Sequence, residues 1–116
     1  MPTSLEVLTD RLRRFVRERD WDQFHDPKNL VMALASEIGE LAAEYRWVPN
    51  TGADDYSMAE TSRARIRREI GDVGILLLLL CERTQIDLFE AIQEKIELNE
   101  VKYAVRDLRG RAEVPQ

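Results

Sequence analysis

The sequence predicts an all-α protein, organised as a four-helix bundle-like subunit. Apolar residues recur at helical spacing over most of the chain, as at Leu5, Leu8, Leu12 and Phe15. No window alternates with period two for long enough to indicate a strand. The chain has 116 residues, of which 44% are apolar and 34% charged, and this composition is typical of one globular domain.

The first two helices are predicted from the residues that begin them. Thr3 opens a capping box, and its helix is expected to run to about residue 19. Asp26 is expected to cap a second helix, in which Pro27 takes the first position. This second helix is expected to end near residue 47, where the segment VPNTGADDY breaks the helical pattern.

Two further helices are predicted in the same way. Ser57 is expected to cap a third helix that runs to about Arg83, and Asp87 to cap a fourth that runs to about Tyr103. The whole chain is expected to be a single domain, residues 1–116. Its core covers about residues 3–105, followed by a loose tail over about residues 106–116.

Composition restricts the partners and the compartment. The net charge is −5, and this acidic balance argues against a nucleic-acid polymer, whose binding needs a basic face. The single cysteine, Cys81, allows no disulfide within the chain, so we expect a cytoplasmic protein. The apolar run VGILLLLLC, residues 73–81, is too short to span a membrane, which takes about 20 residues. It is expected to be the most buried helix of the bundle, or to be buried at a subunit interface.

Two acidic pairs stand on the predicted second and third helices. Glu37 and Glu40 form the first pair, and Glu69 and Asp72 the second. At about 100° per residue, each pair lies roughly a quarter turn from an apolar stripe, in the same rotational sense. If the two helices pack antiparallel, as a short connection favours, both pairs converge at the edge of the core.

Half-buried carboxylates brought together in this way repel each other unless a cation lies between them. Oxygen ligands suit Mg²⁺ or Mn²⁺, and a metal site of this kind can activate a water while a carboxylate accepts its proton. The alternative is that each pair is ordinary solvated helix surface. A di-iron site is not supported, because the only histidine, His25, lies outside any Glu-x-x-His motif.

Basic and aromatic residues elsewhere in the sequence could bind a phosphorylated ligand. Lys95, Asn99 and Lys102 share one helical face, with Tyr103 beside it, and suit phosphate oxygens and a sugar or base edge. An ordinary solvated basic stripe is the alternative for the lysines.

Trp21, Phe24, His25 and Trp47 cluster near the two ends of the second helix and could stack on a nucleobase. For Trp21 and Phe24 the alternative is packing between the first two helices. The two ends lie roughly 27 Å apart, so Trp21 and Trp47 would meet only if a neighbouring subunit contributes one of them.

The segments EIGEL and EIGDV resemble the Glu-x-x-Glu and Glu-x-x-Asp signature of the MazG-like nucleoside triphosphate pyrophosphohydrolases. The segments RDWDQFHDPKNL, EYRW and KIELNEVKY resemble the all-α dCTP pyrophosphatase branch of that family. The likeness covers roughly residues 8–103.

The resemblance implies an oligomeric all-α fold and Mg²⁺-dependent hydrolysis of a nucleoside triphosphate to the monophosphate and pyrophosphate. It implies a role in cleaning the nucleotide pool, with dCTP or a modified pyrimidine analogue as the first candidate substrate. Glu37 or Glu40 would be catalytic. The implied metal ligands are Glu37, Glu40, Glu69 and Asp72. The implied substrate-binding residues are Trp21, His25, Trp47, Lys95, Asn99, Lys102 and Tyr103.

Other outcomes stay open at this point. Glu44 matches the family pattern less well, because the third acid of that pattern falls one position earlier, at Ala43. It is therefore expected beside the ligands or at the surface. The enzyme could have broad specificity for triphosphates, or the fold could serve as a non-enzymatic binding module that tolerates replacement of the carboxylates. A homodimer or homotetramer is expected in either case.

Overall fold

The computed structural model describes residues 4–105 and 109–110, and over these residues it contains helices and no strand. This confirms the all-α prediction. Two short 3₁₀ turns, Asp22–Phe24 and Asn50–Gly52, lie in the connections. The α-helices are α1 Ser4–Glu18, α2 Pro27–Tyr45, α3 Ala53–Met58, α4 Glu60–Thr84 and α5 Leu88–Lys102.

The chain divides into two compact units, one ending at Thr84 and the other beginning at Gln85. The first contains α1 to α4 and the second contains α5. That the chain is a single domain stays a prediction. Most of the predicted tail lies outside the described residues, as does the predicted capping residue Thr3. No helix within the described ranges is long and apolar enough to cross a membrane.

Two of the predicted helix starts are confirmed by their hydrogen bonds. The Asp26 carboxylate accepts from the backbone N–H of Asn29 at 2.9 Å, and Pro27 follows in the first helical position. The Asp87 carboxylate accepts from the backbone N–H of Glu90, also at 2.9 Å. Each bond satisfies a donor that the first turn of a helix cannot pair internally.

The prediction that Ser57 caps the third long helix is wrong. Ser57 lies inside the short helix α3, where its hydroxyl donates to the backbone carbonyl of Ala53 at 2.8 Å. It accepts in turn from the hydroxyl of Tyr45 at 2.6 Å. The break comes two residues later, at Ala59, whose backbone is extended with φ −65° and ψ 136°. Residues 4–105 therefore contain one more α-helix than the four predicted.

The first unit is organised around the pairing of α2 with α4. Glu44, near the end of α2, contacts Arg65, near the start of α4. Earlier residues of α2 meet later residues of α4, so the two helices run antiparallel, as predicted. Among the described residues, the apolar side chains buried most completely are Leu30 on α2, Ile66 on α4 and Val16 on α1.

A second pair of charges joins α1 to α4. The guanidinium of Arg13 donates through Nε and Nη2 to both carboxylate oxygens of Glu82, at 2.5 and 2.8 Å. These hydrogen bonds hold the pKa of Glu82 below its usual range. Both side chains are partly exposed, so the pair is expected to contribute about 1 kcal/mol or less to the free energy of unfolding.

The leucine-rich run at residues 73–81 contains none of the fully buried side chains among the described residues. Its side chains are half-buried, and Ile75 is exposed. Part of this apolar surface stays in contact with solvent. Burial of the run at a subunit interface stays a prediction.

Candidate active site

Three carboxylates from two helices meet at the α2–α4 contact. Glu37 and Glu40 stand about one turn apart on α2, and Glu69 faces them from α4. One oxygen of each lies within 4.8 Å of the others. The convergence expected from helical periodicity is thus present for three of the four acids. We call these three residues the acidic cluster.

Two oxygens of the acidic cluster are buried and lack a hydrogen-bond partner among the described residues. They are Oε2 of Glu37 and Oε2 of Glu69, whereas Glu40 is exposed. A buried carboxylate oxygen without a donor is costly, because it loses water and gains nothing in return. A metal ion bound between the three side chains would remove this cost, so the residues present fit a divalent cation.

The pKa values of the cluster reflect the same crowding. Burial raises the pKa of Glu37 above its ordinary value, and the charges of Glu40 and Asp72 raise it further. Burial likewise raises the pKa of Glu69, with further contributions from Glu40, Glu37 and Asp72. Each carboxylate therefore favours its protonated form more than a solvated one does, until a positive charge arrives.

Asp72 lies beside the cluster rather than within the group of converging oxygens. It is exposed, one turn after Glu69 on α4, and it acts on Glu37 and Glu69 through its charge. Its assignment as a fourth ligand stays a prediction.

The sequence left open whether Glu44 lies beside the ligands or at the surface, and the structure gives it defined hydrogen-bond partners. Its Oε1 accepts from Nε of Arg65 at 3.0 Å and from the hydroxyl of Tyr56 at 3.1 Å. Nη2 of Arg65 also donates to the Tyr56 hydroxyl, at 3.2 Å. Only 18% of the Glu44 side chain is exposed. Glu44 thus pairs with a guanidinium, and it is not among the converging oxygens.

Sequence reasoning missed Arg65 and Tyr56. The available signal was weak: Arg65 precedes Glu69 by one turn on the same face of α4, and Tyr56 lies in a segment expected to be a loop. Their contact with Glu44 joins residues far apart in sequence, and no local pattern predicts such a contact.

The aromatic residues predicted to bind a base are distributed over the connections of the first unit. Trp21 is 45% exposed and packs edge-on against Phe15 with ring centroids 5.7 Å apart. Trp47 follows the end of α2 and is 87% exposed. His25 is half-buried between the first 3₁₀ turn and α2. Trp21 thus packs against α1, while Trp47 projects into solvent.

The predicted phosphate-binding residues all lie on or next to α5, in the second unit. Lys95 and Lys102 are exposed and Asn99 is half-buried. Tyr103 ends the helix by donating its backbone N–H to the carbonyl of Asn99 at 2.8 Å. The ammonium of Lys102 lies 5.4 Å from the centre of the Tyr103 ring. The shared helical face predicted for Lys95, Asn99 and Lys102 is therefore present.

The chain is similar to mammalian dCTP pyrophosphatases and to a pyrophosphatase of known structure. The dCTP pyrophosphatase 1 of Bos taurus is 39% identical over 113 residues, which cover 94% of this chain and 67% of that protein. The dCTP pyrophosphatase 1 of Mus musculus is 40% identical over 109 residues, which cover 94% of this chain and 64% of that protein. The crystal structure of a pyrophosphatase from Archaeoglobus fulgidus superposes with a TM-score of 0.81 at 35% identity, covering 90% of this chain and 95% of that one.

The chain belongs to the MazG-like pyrophosphohydrolase family, in its dCTP pyrophosphatase branch. The resemblance found in the sequence motifs is thereby confirmed. No family model matches the chain. The chain spans about two thirds of the length of the mammalian relatives that it matches.

The geometry described above is suited to the chemistry of a pyrophosphohydrolase. Carboxylates on two facing helices can hold a cation at the edge of the bundle, and the exposed Glu40 keeps this position accessible from solvent. Polyphosphates bind proteins of acidic surface through such cations, because the metal bridges phosphate and carboxylate oxygens.

Proposed function

We propose that this protein hydrolyses a nucleoside triphosphate between its α and β phosphates, releasing the monophosphate and pyrophosphate, with dCTP as the first candidate substrate. Mg²⁺ is the proposed cofactor, and Mn²⁺ could replace it. The observation that carries the proposal is a converging cluster with two buried carboxylate oxygens that have no hydrogen-bond partner in the part of the chain that the structure describes. The dCTP pyrophosphatase relatives support both the reaction and the substrate.

The positions of the cluster residues support the roles proposed for them. Glu37, Glu40 and Glu69 would hold the cation, together with Asp72 beside them. The cation would supply charge neutralisation on the phosphate chain and a more acidic bound water. Glu37 or Glu40 would orient or deprotonate the attacking water. The water oxygen bonds to the α phosphorus, and the bond from that phosphorus to the oxygen bridging the α and β phosphates breaks.

We also propose that the protein is an oligomer, either a homodimer or a homotetramer. Exposed apolar side chains on the paired helices support this, among them Ile38 on α2 and Ile70 and Ile75 on α4. Removing such surface from water favours association by about 25 cal/mol per Å². Light scattering coupled to size exclusion measures the number of subunits directly.

The test of the proposed function is a product assay. The full chain is incubated with Mg²⁺ and each common ribo- and deoxyribonucleoside triphosphate, and nucleotides and pyrophosphate are then separated. We expect monophosphate plus pyrophosphate, lost when the metal is chelated, with the highest rate for dCTP. Similar rates for all bases would indicate a broad-specificity enzyme. Release of orthophosphate and diphosphate, or no turnover at all, would contradict the proposed reaction.

Trp47→Ala tests base recognition. Stacking on an aromatic ring is worth about 1–3 kcal/mol per base, so we expect KM to rise about tenfold or more while kcat changes little. Inhibition by pyrophosphate, which carries no base, serves as the control and is expected to stay the same. An unchanged KM for every triphosphate would remove Trp47 from the base site.

Lys95→Ala tests phosphate recognition by α5. A lysine that contacts the phosphate chain contributes a charge-assisted hydrogen bond, worth about 1.5–3 kcal/mol. We therefore expect triphosphate affinity to fall about tenfold, and monophosphate affinity to fall less. Arg11→Ala on α1 removes the same charge from an exposed position and is expected to leave both affinities unchanged. An equal effect of the two substitutions would contradict the assignment.

A further inference from the structure

Glu44 and Arg65 lie one helical turn from the acidic cluster on both helices. Glu44 follows Glu40 by four residues on α2, and Arg65 precedes Glu69 by four residues on α4. The two helices therefore share one spacing of four and then three residues. It separates positions 44, 40 and 37 on α2 and positions 65, 69 and 72 on α4. Because the helices are antiparallel, position 44 faces position 65 and position 40 faces position 69, and the same spacing matches position 37 with position 72. We call each of these three pairs a rung.

The three rungs differ in the sign of the interaction between their charges. At the first, Nε of Arg65 lies 3.0 Å from Oε1 of Glu44, so the charges attract. At the second, Glu40 faces Glu69 within the cluster, so the charges repel. At the third, Glu37 and Asp72 are also both acidic. Without a cation, the second and third rungs push α2 and α4 apart, and the first rung opposes that force.

The first rung has a hydrogen-bond partner beyond the ion pair, which an isolated surface pair lacks. The Tyr56 hydroxyl donates to Glu44 and accepts from Nη2 of Arg65, closing a three-membered network. The Tyr56 ring packs edge-on against Tyr45, with ring centroids 5.6 Å apart. Tyr45 in turn bonds Ser57 on α3. The Arg65 guanidinium is therefore also held by Tyr56 on α3, whose ring is packed. This restraint lowers the side-chain entropy that is lost when Glu44 and Arg65 pair.

We propose that Glu44, Arg65 and Tyr56 are positioning residues that hold α2 and α4 at the register in which Glu37, Glu40 and Glu69 form one cation site. The inference rests on the proposed function, because it assumes that the cluster binds a divalent cation. It assigns no contact with the cation or the nucleotide to the three positioning residues. Their contribution is to keep the ligands assembled before the cation arrives.

The chain offers a matched control for this inference. Arg13 and Glu82 form a second arginine–carboxylate pair between helices, with two hydrogen bonds. Glu82 lies 13 residues beyond Glu69 on α4, or about 20 Å along the helix axis. Removing this pair also weakens a helix contact and also leaves the net charge unchanged, but at a distance from the acidic cluster.

The test measures Mn²⁺ binding by titration calorimetry on the full chain, with thermal unfolding recorded for each variant. The variants are the double substitution Glu44→Ala/Arg65→Ala and the control Arg13→Ala/Glu82→Ala. Because each double substitution removes one charge of each sign, the long-range field at the cluster changes little. We expect the Kd for Mn²⁺ to rise about tenfold or more in the first variant, as is typical when residues that support metal ligands are lost. The control is expected to bind as the wild type does.

Three results would overturn the inference. Wild-type affinity in the Glu44/Arg65 variant would show that the ligands assemble without the pair. An equal loss in the control would show that any weakened helix contact has the same effect. Absence of Mn²⁺ binding by the wild type would overturn the proposed function as well, so the two failures are distinguishable. If the alanine variant does not fold, Glu44→Gln/Arg65→Gln, which retains more of the packing, is measured in its place with the same expectation.

Discussion

Glu37→Gln is expected to lower turnover by about 10²–10⁴-fold, the usual loss for a group that positions or deprotonates an attacking water. The same substitution is expected to raise the melting temperature in the presence of a chelator. Glu37 holds one of the two buried oxygens without a partner, and its neighbours are also acidic. The neutral amide removes that repulsion and can donate a hydrogen bond to Glu40 or Glu69. Activity and stability should therefore move in opposite directions.

The measurement combines initial rates at saturating Mg²⁺ with thermal unfolding in chelator. Glu18→Gln is the control, because Glu18 is an exposed carboxylate at the end of α1, and it is expected to change neither quantity appreciably. Full activity of the Glu37 variant would remove Glu37 from the site. A lower melting temperature in chelator would show that the cluster is not under electrostatic strain.

Stabilisation of the fold by Mg²⁺ is expected to depend strongly on pH. The pKa values of Glu37 and Glu69 are raised on folding, chiefly by burial. Between the ordinary carboxyl pKa and the raised values, the folded chain binds more protons than the unfolded chain. The free energy of unfolding without metal therefore falls as the pH rises through this window. Mg²⁺ binds the ionised oxygens and is expected to reverse the loss.

The difference in melting temperature between Mg²⁺ and chelator should accordingly be small at the acidic end of the window and large at neutral pH. At a concentration about 100 times its Kd, the cation is expected to add roughly 10 °C at pH 7. Glu82 responds in the opposite sense, because Arg13 lowers its pKa, but it does so equally with and without the cation and cancels in the difference. A difference independent of pH would indicate that Mg²⁺ does not bind at Glu37 and Glu69.

Helical periodicity, with antiparallel packing, was sufficient to predict that Glu37, Glu40 and Glu69 converge, but it also placed Asp72 among them, and Asp72 lies beside the converging oxygens. The spacing of Glu37, Glu40 and Glu69 relative to the apolar stripes fixed their side of each helix, and antiparallel packing brought them together. The starts of α2 and α5 were predictable because the capping bond of Asp26 or Asp87 forms within one helical turn. These features depend on residues close together in sequence.

The features that sequence reasoning missed depend on contacts between distant residues. Ser57 has the chemistry of a cap, but the short helix α3 contains it, and Tyr56 on α3 is bonded to Glu44 and Arg65. Glu44 could not be assigned from sequence, because its partner lies 21 residues away. The leucine-rich run was expected to be buried from its composition alone, although burial depends on how many helices surround α4.

The rung formed by Glu44 and Arg65 also has an evolutionary consequence. If a descendant of this chain loses the carboxylate at position 44, the guanidinium at position 65 remains beside the site without its counter-ion. Loss of Arg65 alone leaves the negative charge of Glu44 without its counter-ion near Glu69. Substitution at either position is therefore selected against until the other changes too. Among homologous sequences, positions 44 and 65 should covary, either as an ion pair or as two uncharged residues, while the acids of the cluster stay constant.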